Sequence, residues 1–141
     1  MSRLSDIAVR IEPPRAAAAG LGGGIAAILS ELAALLERLG AAGDTAMIDL
    51  RSLPMSAADR MLLQQTLGDG EVHATLRAQG LSTARETGFP GVWWIEHRDP
   101  EGGLMAELLE VAPFPQILAS VPDEITAAAA ALRAHNLRSA P

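Results

Sequence analysis

Cysteine is absent from this sequence of 141 residues, and aromatic side chains are few. Without cysteine the chain cannot form disulfides, bind a metal or an iron–sulfur cluster through thiolates of its own, or use a thiolate nucleophile. Tyrosine is absent too, and the only aromatic residues are two phenylalanines and two tryptophans: Phe89, Phe114, Trp93 and Trp94. The lack of cysteine indicates a protein that does not depend on an oxidising compartment.

Basic residues are outnumbered by acidic ones, eleven against seventeen, which gives a net charge of −6. The sequence contains no basic cluster, whereas nucleic-acid-binding proteins use such clusters to neutralise phosphates. A chain with this charge is repelled by DNA, RNA and anionic membrane surfaces. We therefore expect no nucleic-acid partner.

Long apolar segments are also missing. The longest uncharged apolar run, residues 16–29, contains four glycines and is shorter than the roughly 20 residues of a membrane span. Asp6, Glu12 and the pair Pro13-Pro14 precede this run, which does not fit the basic start and apolar core of a signal peptide. These features predict no membrane insertion and a cytoplasmic location.

Hydrophobic periodicity predicts a single domain over residues 25–141, preceded by a flexible arm over residues 1–24. Isoleucines and leucines at three- and four-residue steps predict a helix that begins at Ile25 and ends at Gly40. A second helix is predicted after Ser56, since Asp59 follows three residues later in a capping box. A third is predicted from Pro122, where a missing backbone N–H costs nothing.

Five segments predict strands: residues 45–50, 72–77, 82–87, 92–98 and 104–111. Apolar and polar residues alternate over residues 72–77, which is typical of a half-buried strand. The polar character of residues 82–87 indicates an edge strand. The order α-β-α-β-β-β-β-α favours an α+β fold, with an antiparallel sheet of about four strands and helices flanking it.

Few residues fit a reaction centre. His73 and His97 with a carboxylate could form a metal site, although two solvated strand residues explain them more simply. Two of the four strand carboxylates could form an acid–base pair, although a charged outer sheet face explains all of them: Glu71, Glu86, Glu107 and Glu110. The segment Gly20 to Gly24 lacks the remaining residues of either nucleotide-binding motif. We therefore expect neither enzymatic activity nor a cofactor.

The adjacent tryptophans are the most informative feature, because neighbouring strand residues point to opposite sheet faces. If one indole fills the core, the other lies on the far face, where either the same chain covers it or it forms an exposed aromatic surface. Tryptophan is enriched at binding hot spots, so our working hypothesis is the exposed surface. The residues assigned to partner binding are Trp93, Trp94, Phe89, Pro90, Gly91, Glu86 and Glu71. A homodimer that pairs this face with its own copy is the structural alternative.

The run Glu86-Thr87-Gly88-Phe89-Pro90-Gly91-Val92-Trp93-Trp94 resembles the signature of the HupH/HyaF family of hydrogenase expression/formation proteins. Other segments agree with that family in order and spacing, so the resemblance covers residues 45–120: Ile48-Asp49-Leu50, Leu53-Pro54, Leu67 to Val72, Glu110-Val111, and Pro115 with Ile117-Leu118. It implies one domain of the family's C-terminal type.

The resemblance also implies a function. It indicates a chaperone-like accessory role in the maturation of nickel–iron uptake hydrogenase, without catalytic residues. The implied partners are the iron–sulfur small subunit of the hydrogenase or other maturation proteins. A metal-dependent protein using His73 and His97, and a homo-oligomeric structural module, remain the alternatives.

Overall fold

A five-stranded antiparallel sheet forms the centre of the protein, in a computed structural model that describes residues 21–139. The strands are β1 (Ala46–Asp49), β2 (His73–Arg77), β3 (Leu81–Glu86), β4 (Val92–Arg98) and β5 (Leu104–Val111). They lie in the order β1-β5-β4-β3-β2. The predicted α+β class and antiparallel sheet are confirmed, and the sheet has five strands because all five predicted segments join it.

Within residues 21–139, three α-helices accompany the sheet: α1 (Leu21–Ala42), α2 (Ala57–Leu67) and α3 (Pro122–Ser139). In the same range, short 3-10 turns follow β1 and β5, at Leu50–Ser52 and Gln116–Leu118. The predicted order of elements is therefore confirmed within residues 21–139. None of the helices in that range has the length and apolar character that a membrane crossing requires.

Helix α1 is longer than predicted at both ends. It begins at Leu21, so three glycines of the expected arm, Gly22 to Gly24, belong to its first turn. It also continues through Gly40, and Gly43 ends it instead, with a φ of +80° and its N–H donated to the Leu39 carbonyl at 2.9 Å. The remainder of the expected arm, residues 1–20, lies outside the described residues.

Helices α1 and α2 cover one face of the sheet, which we call the helix face. Their apolar stripes pack on β1, β4 and β5 and form the main core. The fully buried members include Leu63 of α2, Ile48 of β1, Trp94 of β4 and Leu109 of β5. These residues bring together segments that are distant in sequence, so the core fixes how the helices sit on the β4–β5 hairpin.

The predicted edge strand is in fact internal. Strand β3 pairs with β4 on one side and with β2 on the other, so β2 is the edge strand on that side of the sheet. The polar side chains of β3 led to the prediction of an edge strand. Polar residues indicate that a sheet face contacts solvent, but they do not show whether the strand backbone pairs with a second strand. Val72 and Leu76, beside and within β2, are accordingly exposed.

Helix α3 departs from the expectation that the helices flank the sheet. It begins at Pro122 as predicted, yet each of its described side chains, residues 122–136 and 138, is exposed. The chain reaches α3 through Pro113 to Ala119, which includes the second 3-10 turn. Only this preceding segment returns to the sheet, on the face opposite α1 and α2.

The predicted capping box of α2 gives a direct test of helix stability. The Ser56 hydroxyl accepts a hydrogen bond from the Asp59 N–H at 3.0 Å, and the Asp59 carboxylate accepts one from the Ser56 N–H at 3.1 Å. We expect Ser56→Ala to lower the free energy of unfolding by about 1 kcal/mol in urea denaturation, because two backbone N–H groups lose these bonds or their geometry. Ser30→Ala, at an exposed position of α1, is the control. Equal effects of the two changes would contradict the role of the cap.

Candidate partner-binding end of the sheet

The bend between β3 and β4, residues 87–91, is held rigidly by one buried threonine. The Thr87 hydroxyl donates a hydrogen bond to the Val92 carbonyl at 2.9 Å and accepts one from the Phe89 N–H at 3.1 Å. The Val92 N–H returns to the Phe89 carbonyl at 3.0 Å, and the Gly88 N–H bonds to the Leu67 carbonyl at 2.8 Å. The bend is therefore anchored both to itself and to the end of α2.

Gly91 joins this bend to the chain that leaves β5. Its φ is +99°, a conformation that favours glycine, and an added Cβ would lie 2.9 Å from Cδ2 of Leu36. Its carbonyl accepts a hydrogen bond from the Ala112 N–H at 2.9 Å. Because Gly91 has no side chain, the bend can pack closely against α1. The hydrogen bond between Gly91 and Ala112 links two loops at one end of the sheet. We call residues 86–92 with residues 110–118 the aromatic end.

Glu86 stabilises the backbone at this end of the sheet. One of its carboxylate oxygens accepts hydrogen bonds from the N–H groups of Glu71 and Val72, at 3.0 and 3.2 Å. A Cβ at Gly70 would lie 2.6 Å from the same oxygen. Glu86 therefore fixes the segment that enters β2, and the structure brings it to the backbone of Glu71, whose own side chain is exposed.

Both indoles are buried, so the hypothesis of an exposed tryptophan is wrong. Trp94 is 1% exposed in the main core, and Trp93 is 5% exposed on the opposite face. The chain after β5 covers Trp93, whose indole N–H donates to the Ala112 carbonyl at 3.1 Å, and Ile117 packs on the same small cluster. Sequence patterning did not identify this cover because it comes from an irregular segment.

Trp94 is held on the helix face by charged groups. Its indole N–H donates to Oε2 of Glu107 at 2.9 Å, and Nη2 of Arg60 lies 2.7 Å from the other oxygen of that carboxylate. The guanidinium of Arg85 lies 5.5 Å from the ring centroid of Trp94, within the range of a cation–π contact. These contacts connect β3, β4 and α2.

The exposed aromatic residues of this end are the phenylalanines. Phe89 is 49% exposed and Phe114 is 53% exposed. Each lies two residues from the hydrogen bond between Gly91 and Ala112, so both belong to the same end of the sheet. Sequence reasoning assigned Phe89 and missed Phe114, for which the flanking Pro113 and Pro115 are a usable signal, because proline interrupts the regular pairing that would bury an aromatic side chain.

Glu110 supports the segment that carries Phe114. It is buried beside Trp93, opposite it in the β4–β5 register, and its carboxylate accepts a hydrogen bond from the Gln116 N–H at 3.1 Å. Burial raises the pKa of Glu110 above its ordinary value of 4.5, and the hydrogen bond from Gln116 opposes part of that shift. This carboxylate ties the second 3-10 turn to β5.

The other two chemical hypotheses do not fit the geometry. His73 shares the helix face with Arg85 and Trp94, whereas His97 lies on the opposite face, where its Nδ1 is 2.7 Å from the Ser82 hydroxyl. The two histidines therefore cannot share a metal ion, and the described residues contain no group of three or more side chains suited to holding one.

The four strand glutamates do not form an acid–base pair, nor do they make one charged outer face. Glu107 and Glu110 are buried on opposite faces of β5, which places their carboxylates apart. Glu86 is occupied by backbone N–H groups, and Glu71 is exposed. The expectation of a charged outer face is wrong for Glu107 and Glu110, because each has polar partners that compensate its burial.

Residues 24–137 match the sequence model of a protein family, described as the HupH hydrogenase expression protein, C-terminal conserved region. Hydrogenase expression/formation protein HoxQ of Azotobacter vinelandii is 31% identical over 86 residues, which cover 61% of this chain and 30% of that protein. HupH of Rhizobium leguminosarum bv. viciae is 37% identical over 92 residues, 64% of this chain and 32% of that protein. The chain thus spans about a third of the length of these relatives.

A solved structure shares the fold. The hydrogenase expression protein HupH from Thiobacillus denitrificans is 40% identical, superposes with a TM-score of 0.79, and is matched over 97% of its chain and 82% of this one. The resemblance found in residues 86–94 is thereby confirmed. In the present chain, residues 86–94 hold the bend, the indoles and the entry to β2 in place.

Gly91 offers a test of how tightly the aromatic end is packed. Gly91→Ala should lower the free energy of unfolding by about 2–4 kcal/mol in urea denaturation, because positive φ is strained for alanine and the new methyl meets Leu36. Gly102→Ala is a matched control, since Gly102 has a φ of +92° with nothing within 4 Å of an added Cβ, and it should cost about 1–2 kcal/mol. Equal losses would show that the Leu36 contact has no energetic weight.

Glu110 gives a pH-dependent prediction. Because its folded pKa is raised, protonated Glu110 stabilises the fold below pH 4.5, and this contribution is lost as pH rises through the folded pKa. Glu110→Gln stays neutral, so its stability relative to the original protein should increase between about pH 4 and about pH 7. Urea denaturation across this range measures the difference, with Glu37→Gln on α1 as the control for loss of one charge. A difference that does not change with pH would contradict the prediction.

Proposed function

Because the chain belongs to the HupH family of hydrogenase expression proteins, we propose that it is a non-enzymatic accessory factor of hydrogenase maturation. Its proposed client is the iron–sulfur small subunit of a nickel–iron hydrogenase, which it binds in the cytoplasm before assembly. The observation that carries the proposal is the pair of exposed phenylalanines, Phe89 and Phe114, on two mutually bonded loops at one end of the sheet.

Rigid presentation supports binding by this surface. An interface gains affinity when its contact residues are ordered before association, since less conformational entropy is then lost. Thr87 and the bond between Gly91 and Ala112 order the two loops in the isolated chain. Large aromatic side chains on such loops resemble the anchors that dominate interface energies. Phe89, Phe114 and the exposed Pro90 are the proposed direct contacts.

The other residues of the family-like run have a supporting part in this proposal. Trp93 and Trp94 act from the interior, where the Trp93 indole holds the Ala112 backbone and Trp94 packs in the main core. Gly91 permits the close approach of the bend to α1. Glu86 positions the entry to β2. Exposed Glu71 supplies negative charge beside the bend, which suits a client with basic residues around its binding site and would increase the association rate.

The absence of cysteine from the chain is consistent with this division of labour. A client that carries an iron–sulfur cluster supplies its own thiolates, and this chain would contact the client's surface without competing for the cluster. We assign no catalytic residue and no cofactor to the aromatic end.

Co-purification from cells that express the hydrogenase operon tests the proposal. With tagged protein as bait, the double variant Phe89→Ser with Phe114→Ser should reduce capture of the small subunit at least about tenfold, as expected for the loss of two aromatic anchors. The domain should remain folded by circular dichroism, because both side chains are already exposed.

The matched control is Met105→Ser. Met105 is 61% exposed and lies at the start of β5, at the other end of the sheet from Ala112. Capture by this variant should equal that of the original protein. Undiminished capture by the phenylalanine double variant, or equal losses in both variants, would overturn the assignment of the aromatic end.

A further inference from the structure

Helix α3 presents an apolar stripe that no described part of the chain covers. Ile125, Ala128 and Leu132 follow three- and four-residue steps and so share one face of the helix, and Val121 continues the stripe before its first turn. Ile125 and Leu132 are both exposed, as is every other described side chain of α3. A helix of 18 residues with an exposed stripe of this kind gains stability by packing against another helix.

Charge is distributed unevenly along the same helix. Asp123 and Glu124 occupy its first turn, whereas Arg133 and Arg138 lie in its second half. Two copies of α3 that packed in parallel would place like charges together. Two copies that packed antiparallel would place the acidic end of each helix beside the basic end of the other, so the helix is electrostatically complementary to itself in one orientation only.

One specific pair follows from this geometry. Glu124 flanks the stripe beside Ile125, and Arg138 lies about four helical turns later on the same flank. In an antiparallel pair related by a two-fold axis, residues on the same flank of the two helices face each other. When the two helices overlap along their whole length, Glu124 of one copy meets Arg138 of the second copy, and the symmetry produces this contact twice.

The centre of the helix favours close contact. Residues 127–131 are all alanine, and the distance between two packed helices decreases with the size of the side chains between them. Leu132 and Ile125 then lie on either side of the alanine segment and are covered by the other helix. The surface is small compared with a permanent interface, so the dimer should be weak, with a dissociation constant in roughly the micromolar to millimolar range.

We propose that α3 is a self-association site through which two copies of this chain form an antiparallel helix pair. The proposal does not depend on the role suggested for the aromatic end, because it uses a different surface. The family model extends to residue 137, so it includes the residues of the stripe.

Charge exchange tests the orientation. In sedimentation equilibrium of the full chain from about 10 μM to about 1 mM, Glu124→Arg and Arg138→Glu should each raise the dissociation constant about tenfold, since each changes two symmetric pairs. The double variant should return to within about threefold of the original value, because the pairs are restored in reverse. Glu37→Arg and Arg38→Glu on α1, both exposed, are controls for the same changes in net charge.

Crosslinking gives an independent measurement, made simple by the lack of native cysteine. When Glu124→Cys protein is mixed with Arg138→Cys protein under oxidation, the mixed disulfide should form in preference to either self-disulfide, because antiparallel packing brings those two positions together.

Three results would overturn the proposal. The first is a chain that remains monomeric at about 1 mM. The second is a dimer in which Glu124→Arg and Arg138→Glu each change the dissociation constant no more than their charge controls do, because the antiparallel ion pairs are then absent. The third is a dimer that persists unchanged in Ile125→Glu with Leu132→Glu, which would place the contact on another surface or with another partner.

Discussion

Two indole N–H groups, buried on opposite faces of one strand, impose the main constraint on this structure. A buried indole needs an acceptor for its N–H, and β4 presents a buried indole on each face of the sheet. The helix face meets the requirement with Glu107, whose burial is in turn compensated by Arg60 of α2. The other face meets it with the Ala112 carbonyl, which obliges the chain leaving β5 to fold back across the sheet. The adjacent tryptophans thus help to fix the position of α2 and the path of the C-terminal segment.

Most residues of the run 86–94 therefore stabilise the fold, and few of them have exposed side chains. Thr87, Gly91, Trp93 and Trp94 act through backbone contacts and burial, while Phe89 is the large exposed side chain among them. Phe114 joins it from a segment outside the run, brought there by the bond between Gly91 and Ala112. The exposed aromatic surface is accordingly assembled from two separate loops, each dependent on the same interior.

Local features of the fold could be predicted from sequence because they depend on neighbouring residues. The capping box at Ser56 and the strand segments 92–98 and 104–111 are of this kind. The cover of Trp93, the internal position of β3 and the burial of Glu110 depend on pairings between distant segments, which alternating patterns do not encode. Phe89 was identified through its neighbours in the run. Phe114 was not, because its significance arises only when two loops meet in space.

The burial of both indoles also determines how this protein interacts with light. Tyrosine and cystine are absent, so absorption near 280 nm and the emission it excites come from Trp93 and Trp94 alone. Each ring is buried on a different side of the sheet, shielded from solvent quenchers. The signal of the two tryptophans therefore reports jointly on the packing beneath the helices and on the packing beneath the returning C-terminal segment.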